Sequence, residues 1–210
     1  QEQSAALRTR LGAPHLGHEG ERMTLLLYPG AGSDSSQPSL VAIEERVAPY
    51  RCVRADFAYR KQGRKAPDRA PALMAAVRDA IAGLPADEPL VMGGRSMGGR
   101  ICSMIAAGVD GSPPPENLRG LVLIAYPLHP PGKPDKLRVE HLPDITVPTL
   151  FVSGTRDAFG SPEELERWTA TMSRKARVRH VWLDGRGHDL KRADDAIADA
   201  VATFLAAVLP

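Results

Sequence analysis

The feature that most narrows the possible folds is an alternation. Short runs rich in leucine, isoleucine and valine take turns with longer, alanine-rich amphipathic runs from residue 23 to the end. Strands are expected at Met23–Tyr28, Arg51–Asp56, Leu90–Met92, Leu118–Ala125, Thr149–Ser153 and Val178–Leu183. Helices are expected at Ser39–Ala48, Asp68–Gly83, Met97–Ala107, Pro162–Ser173 and Lys191–Val208. The helix at Pro162 carries its own start signal, because Ser161 can cap it and Glu164 follows three residues later. Strands that alternate with helices pair in parallel, and each helix is the crossover to the next strand. The expectation is therefore an α/β fold: a mainly parallel sheet of six strands with helices on both faces.

Such a sheet binds ligands outside the carboxyl ends of its strands. The informative residues are those that follow a strand directly, and four strand ends stand out. In PLVMGGRSMGGRICSMIAAG, the segment Gly94-Arg95-Ser96-Met97-Gly98 fits G-x-S-x-G between an expected strand and an expected helix. That elbow lifts a serine hydroxyl above the sheet and aims the next N–H at whatever carbonyl the hydroxyl attacks. The five-residue pattern alone is weak, and the strand before it and helix after it give it weight.

A serine hydroxyl needs a base to take its proton. Two later strand ends supply the partners in the order serine, acid, histidine. VPTLFVSGTRDAFG turns at Gly154 and reaches Asp157, and VRHVWLDGRGHDL turns through Gly185 and Gly187 and reaches His188. His188 is the expected general base. Asp157 is expected to hold its tautomer and stabilise its charged form. Asp184 and Asp189 are rival acids, but an acid on a neighbouring strand end is the usual provider. Among the other histidines, His180 falls inside a strand and His15 and His18 in the lead-in. His129 and His141 fall in a loop beside the site.

The first strand runs into Gly30-Ala31-Gly32. The N–H of Ala31, paired with that of Met97, is the candidate oxyanion hole. A phosphate-cradling loop is the rival reading of Gly-x-Gly. Here the third glycine of the dinucleotide fingerprint is missing, as is any G-K-[ST].

Taken together, PGAGSD, GGRSMGGR, AYPLHPPGKPDKLRVEHL, SGTRDAFGSPEEL and GRGHDL resemble the α/β-hydrolase superfamily on its dienelactone-hydrolase-like side. The nearer resemblance is to the small KANL/Tex-like members, and YPLHPPGKP is its distinctive block. The resemblance implies a central elbow serine at Ser96, with Asp157 and His188 as acid and base. Two departures accompany it. Pro29-Gly30 stands where the family usually has His-Gly. A serine also replaces the cysteine nucleophile of dienelactone hydrolases proper, which argues against inheriting their lactone substrate.

Only Tyr126–Pro148 separates the strand after the elbow helix from the next strand, too short for a helical cap. An open cleft partly lined by Tyr126, His129, Arg138 and His141 is expected, suited to small or polar acyl groups. Tyr126, His129 and Arg95 are the candidate substrate contacts, and Arg95 with Arg138 could attract an anionic group. Three functions fit. The first is a serine esterase or thioesterase acting on a small acyl substrate. The others are a non-catalytic interaction module and an acyltransferase or C–C hydrolase on the same triad.

The remaining features exclude more than they assign. A length of 210 residues suits one domain, 23–210, behind a lead-in over 1–22. Twenty-seven basic side chains against 25 acidic ones, a net charge of +2, give no electrostatic case for nucleic acid or an anionic membrane. No apolar run approaches the roughly 20 residues that cross a bilayer. QEQSAALRTRLG has no hydrophobic signal core, and Cys52 and Cys102 make neither a disulfide framework nor a zinc spacing. A cytoplasmic protein without metal or organic cofactor is expected. Oligomeric state leaves no mark.

Overall fold

The computed structural model describes residues 22–209. The expected lead-in, with His15 and His18, lies outside them but for Arg22. The chain order is β1 (Thr24–Tyr28), α1 (Pro38–Val47), β2 (Arg51–Arg54), α2 (Ala58–Lys61), α3 (Ala70–Ala82), β3 (Leu90–Arg95), α4 (Met97–Ala106) and β4 (Leu118–Ile124). After these come β5 (Thr149–Gly154), α5 (Pro162–Thr169), β6 (Arg179–Leu183) and α6 (Asp194–Val208). The six strands form one sheet in the order β2-β1-β3-β4-β5-β6, parallel throughout.

Side chains alternate across the pleat, so each strand feeds two cores. Leu26, Met92, Leu121 and Phe151 pack against α3, α4 and α5 on one face. Leu25, Val91, Val122 and Val152 pack against α1 and α6 on the other. The central strands are apolar on both faces because both faces are covered. The chain leaves β1 towards β2 and then returns to place β3 on the other side of β1. That reversal opens a crevice at the carboxyl ends of β1 and β3.

Three boundaries differ from expectation by three residues or more, and the short helix α2 has no counterpart among the expected helices. β3 does not stop at Met92 but runs through Gly93 and Gly94 to Arg95. These glycines keep strand geometry because β1 and β4 press on them. A Cβ at Gly93 would sit 1.8 Å from the Val122 carbonyl oxygen, and one at Gly94 2.0 Å from that of Tyr28. α6 starts at Asp194, not Lys191, because Leu190 and Arg192 have positive φ (47° and 55°) and hold that stretch as a turn. α5 ends at Thr169, short of Ser173, and its start has the expected reciprocal cap. Ser161 Oγ accepts from the Glu164 N–H (3.3 Å), and Glu164 Oε2 accepts from the Ser161 N–H (2.8 Å).

Between β4 and β5 lie loop and a single 3-10 turn (Leu142–Asp144), with no lid helix. Among the described residues no helix is long and apolar enough to cross a membrane.

Candidate active site

Ser96 follows β3 directly and caps α4 with φ 46° and ψ −114°, a conformation that costs on the order of 1–3 kcal/mol for a residue with a Cβ. Two features hold it there. Its N–H donates to the Ile124 carbonyl (2.7 Å). Gly98 lets α4 lie so close to β1 that a Cβ there would come 2.5 Å from the Tyr28 oxygen. The strained turn points the hydroxyl out of the sheet, where Oγ lies 2.9 Å from His188 Nε2.

His188 arrives on the turn after β6. Its Nδ1 lies 3.0 and 2.9 Å from the two carboxylate oxygens of Asp157, which follows β5. A carboxylate only accepts, so Nδ1 carries the proton and Nε2 is left to accept from the serine. The Asp157 side chain is 1% exposed, and Oδ1 also accepts from the Phe159 N–H (2.8 Å). The Phe159 ring stacks on the imidazole, with centroids 3.8 Å apart and planes 22° from parallel. Hydroxyl, imidazole and carboxylate thus form a continuous hydrogen-bonded line from three loops far apart in sequence.

The loop after β1 borders the same cleft as Ser96 and His188. Among the described residues neither the Ala31 nor the Met97 N–H donates to a protein acceptor. Ala31 is held by its other group, since its carbonyl accepts from the Tyr59 hydroxyl (2.8 Å). Gln37 Oε1 takes the Gly30 N–H (3.2 Å), and Asp56 takes the Ser35 N–H and hydroxyl (2.6 and 2.8 Å). The loop is tied down while its Ala31 N–H stays free. Such fixed donors can stabilise a developing oxyanion without reorganising.

The three expected substrate contacts are placed differently. Tyr126 is 1% exposed and belongs to the core under the sheet end. Its ring packs edge-on against Phe151 (5.6 Å), and its hydroxyl lies 3.2 Å from His141 Nε2 and 3.4 Å from Ser103 Oγ. Burial pushes its pKa up to about 12. His141 joins this enclosed cluster, 2.8 Å from Ser103 Oγ, and burial pulls its pKa down to about 4. The chain bends at Ala125, whose φ is 50°, as it leaves the end of β4. His129 is also buried, with Nε2 3.3 Å from Glu164 Oε1, and its N–H donates to the Phe159 carbonyl (3.2 Å). It braces the Phe159 loop and lines no cleft beside Ser96.

Arg95 does reach the site wall, but its guanidinium is committed. It donates to Ser39 Oγ (3.2 Å), to the His188 carbonyl (3.1 Å) and to the Asp189 carbonyl. Desolvation lowers its pKa, opposed by the fields of Asp194, Asp189 and Asp157. Arg95 therefore ties the histidine turn to the elbow and offers little to a substrate. Sequence reasoning missed Phe159, Tyr59, Gln37 and Arg100. The one available signal was for Phe159, an aromatic residue in a turn two positions after the acid.

Ser96 lies between two clefts. One, of about 670 Å³, is lined by His188, Asp189, Gln37 and Ser33; the other, of about 340 Å³, by Met97, Arg100, Arg138 and Leu73. Ala31 and Phe159 border both. Among the described residues no group of histidine, cysteine, aspartate and glutamate is arranged to hold a metal ion.

Comparison with known proteins agrees with this architecture. The alpha/beta hydrolase domain family matches residues 21–205. The ferulic-acid complex of Est1E from Butyrivibrio proteoclasticus superposes with a TM-score of 0.71 at 16% identity, over 90% of each chain. A hydrolase of the α/β superfamily from Xanthomonas campestris pv. campestris gives 0.64 at 22% identity, over 88% of this chain and 99% of that one. An alpha-beta serine hydrolase homologue from Coxiella burnetii gives 0.69 at 15%, over 89% and 88%. At these identities the likeness is one of fold.

Proposed function

The chain belongs to the α/β-hydrolase family of enzymes, and on that footing we propose that it is a serine hydrolase that cleaves a small or polar carboxylic ester or thioester through an acyl-Ser96 intermediate. One observation carries the reading: Ser96 Oγ, His188 and Asp157 stand in a single hydrogen-bonded line, with Nε2 against the hydroxyl and Nδ1 against the carboxylate.

The steps follow from that line. Ser96 Oγ attacks the substrate carbonyl carbon while His188 Nε2 takes the hydroxyl proton. The carbonyl oxygen becomes an oxyanion held by the Ala31 and Met97 N–H groups. Collapse breaks the bond to the leaving oxygen or sulfur, which receives the proton from Nε2. Water then repeats the sequence: it gives a proton to Nε2, attacks the acyl carbon and releases the acid, and Ser96 recovers its proton. Asp157 keeps Nδ1–H in place and offsets the positive imidazolium of each half-reaction. The absence of a lid helix between β4 and β5 supports small or polar substrates, because nothing there closes over a long alkyl chain to take it out of water.

Within the family, the YPLHPPGKP block supports kinship with the KANL/Tex-like members. The unpaired thiols Cys52 and Cys102 favour the cytoplasm, where thiols stay reduced. Titration of both thiols in protein taken directly from its native cells tests that assignment, and a mixed disulfide on either would count against it.

The functional test is hydrolysis of 4-nitrophenyl butyrate and 4-nitrophenyl palmitate by the wild type and Ser96→Ala. The expected result is turnover of the butyrate ester at least tenfold above that of the palmitate, with the variant at background. Equal rates for wild type and variant would exclude the acyl-serine route, and a preference for palmitate would exclude the open-site reading.

A further inference from the structure

We propose that the 340 Å³ cleft is an anion subsite for the acyl half of the substrate, so that the preferred acyl group carries a remote carboxylate. The proposal rests on the serine-hydrolase reading and names the substrate class of that site. Arg100 and Arg138 both line this cleft together with Ser96. Arg100 is one helical turn beyond the nucleophile, and its N–H donates to the Ser96 carbonyl (3.0 Å), so the two residues share a face of α4. Arg138 comes from the loop after β4 and is anchored by its backbone N–H, which donates to the Leu128 carbonyl (2.8 Å).

Neither guanidinium is used by the protein. Among the described residues neither donates a hydrogen bond or forms an ion pair, and Arg100 Nε is enclosed without an acceptor. Burial, the largest cause, lowers the pKa of Arg100, helped by the like charge of Arg138 and opposed by the fields of Tyr126 and Glu140. Glu140 itself is exposed and makes no ion pair with either arginine. The one carboxylate in the cleft wall, Asp68, is already taken by Arg64, whose guanidinium lies 2.8 Å away. His141, packed behind this wall, is held neutral. A buried donor left unpaired and two half-buried like charges are both costly arrangements. A bound carboxylate would relieve both, with a guanidinium fork that matches its two oxygens.

Chemistry fixes which half of the substrate goes where. His188 Nε2 must reach the leaving atom to protonate it, and His188 borders the 670 Å³ cleft and not the smaller one. The leaving group therefore occupies the larger cleft. The acyl chain points from the Met97 oxyanion donor into the smaller one, towards Arg100 and Arg138. A monoester or monothioester of a short dicarboxylic acid meets these demands.

The test compares kcat/KM for monoethyl glutarate and for its neutral isostere, ethyl 4-carbamoylbutanoate, with Ser96 labelling by a fluorophosphonate run alongside. The expected ratio of acid to amide exceeds tenfold in the wild type. It falls towards one in Arg138→Gln and in Arg100→Gln, and Arg138→Lys retains part of it. Circular dichroism and melting temperature confirm that each variant is folded, and Arg138, which lies in a loop and not in α4, is the safer of the two. A ratio near one with Ser96 labelled and the amide ester hydrolysed would overturn this proposal and leave the hydrolase reading standing. A high ratio that survives both glutamine variants would also overturn it. No labelling and no turnover of either ester would overturn the hydrolase reading and this proposal with it.

Discussion

Replacing Arg95 with methionine separates two roles for that side chain. Methionine keeps much of the stem's packing and removes three donations, to Ser39 Oγ, the His188 carbonyl and the Asp189 carbonyl. A hydrogen bond from a charged donor contributes about 1.5–3 kcal/mol, but the three do not sum. Methionine also recovers the desolvation cost of burying a guanidinium, and water can reach the partly exposed histidine turn to replace the lost donors. One charged bond, about 2 kcal/mol, is a fair net loss. Its main effect falls on the turn that carries His188. If that energy holds the imidazole in line with Ser96, kcat drops by about 30-fold, since each 1.4 kcal/mol is a factor of ten. KM for a neutral ester should stay within about twofold, because uniform binding is untouched. Global stability should fall by roughly 4–8 °C in Tm. Arg95→Lys, with one donor arm, should recover part of kcat. Steady-state kinetics on 4-nitrophenyl butyrate with parallel thermal melts reads all of this. A kcat within threefold of wild type would refute the positioning role. A loss confined to KM for an anionic ester would restore Arg95 as a direct substrate contact.

Three further outcomes are expected. Gly94→Ala should fail to give soluble folded protein, because its Cβ would lie 2.0 Å from the Tyr28 carbonyl oxygen at a φ of +149°; a cooperative melt near that of the wild type would contradict this. Phe159→Ala removes the ring stacked on His188, an aromatic contact contributing about 0.5–1.5 kcal/mol beyond its area, and should lower kcat by roughly three- to tenfold; an unchanged kcat would make the stack incidental. His141 should make the fold acid-sensitive, because burial lowers its pKa to about 4 and the unfolded chain then binds a proton that the folded chain refuses. Stability is fully present above the unfolded value near 6.5 and is lost as pH falls towards 4, by up to about 1.4 kcal/mol per pH unit. His180, also lowered by burial, adds to that slope. Urea melts at pH 7, 5.5 and 4.5 should show the loss, and His141→Phe should flatten it; an identical slope in the variant would remove His141 as a source.

The parts of the site that could be read from sequence are those that follow a strand directly. Ser96, Asp157 and His188 each stand within a few residues of a strand end beside glycine, and in a parallel sheet all such ends lie along one edge. Their meeting needs no knowledge of packing. Tyr126 and His129 also follow a strand, yet both are enclosed. What separates them is the direction in which the chain leaves the sheet, bending at Ala125 with a φ of 50°, which an alanine does not announce. Arg95 was legible as a neighbour of the nucleophile but not in its role, because its acceptors come from α1 and the turn after β6. Arg100 is harder still. It lies a turn into α4, and only the loop from Leu128 to Arg138 brings a second guanidinium to it. At β3 the expected strand stops at Met92, before Gly93 and Gly94, although crowding by β1 and β4 makes them strand residues.

The most direct measurement is intact-mass and peptide mass spectrometry after exposure to a fluorophosphonate. One adduct per chain on Ser96 is expected. It should be absent from Ser96→Ala and formed at least a hundred times more slowly by His188→Ala, since nucleophile and base act as a unit. Folded wild-type protein that stays unlabelled, or that labels equally fast without the imidazole, would contradict the account.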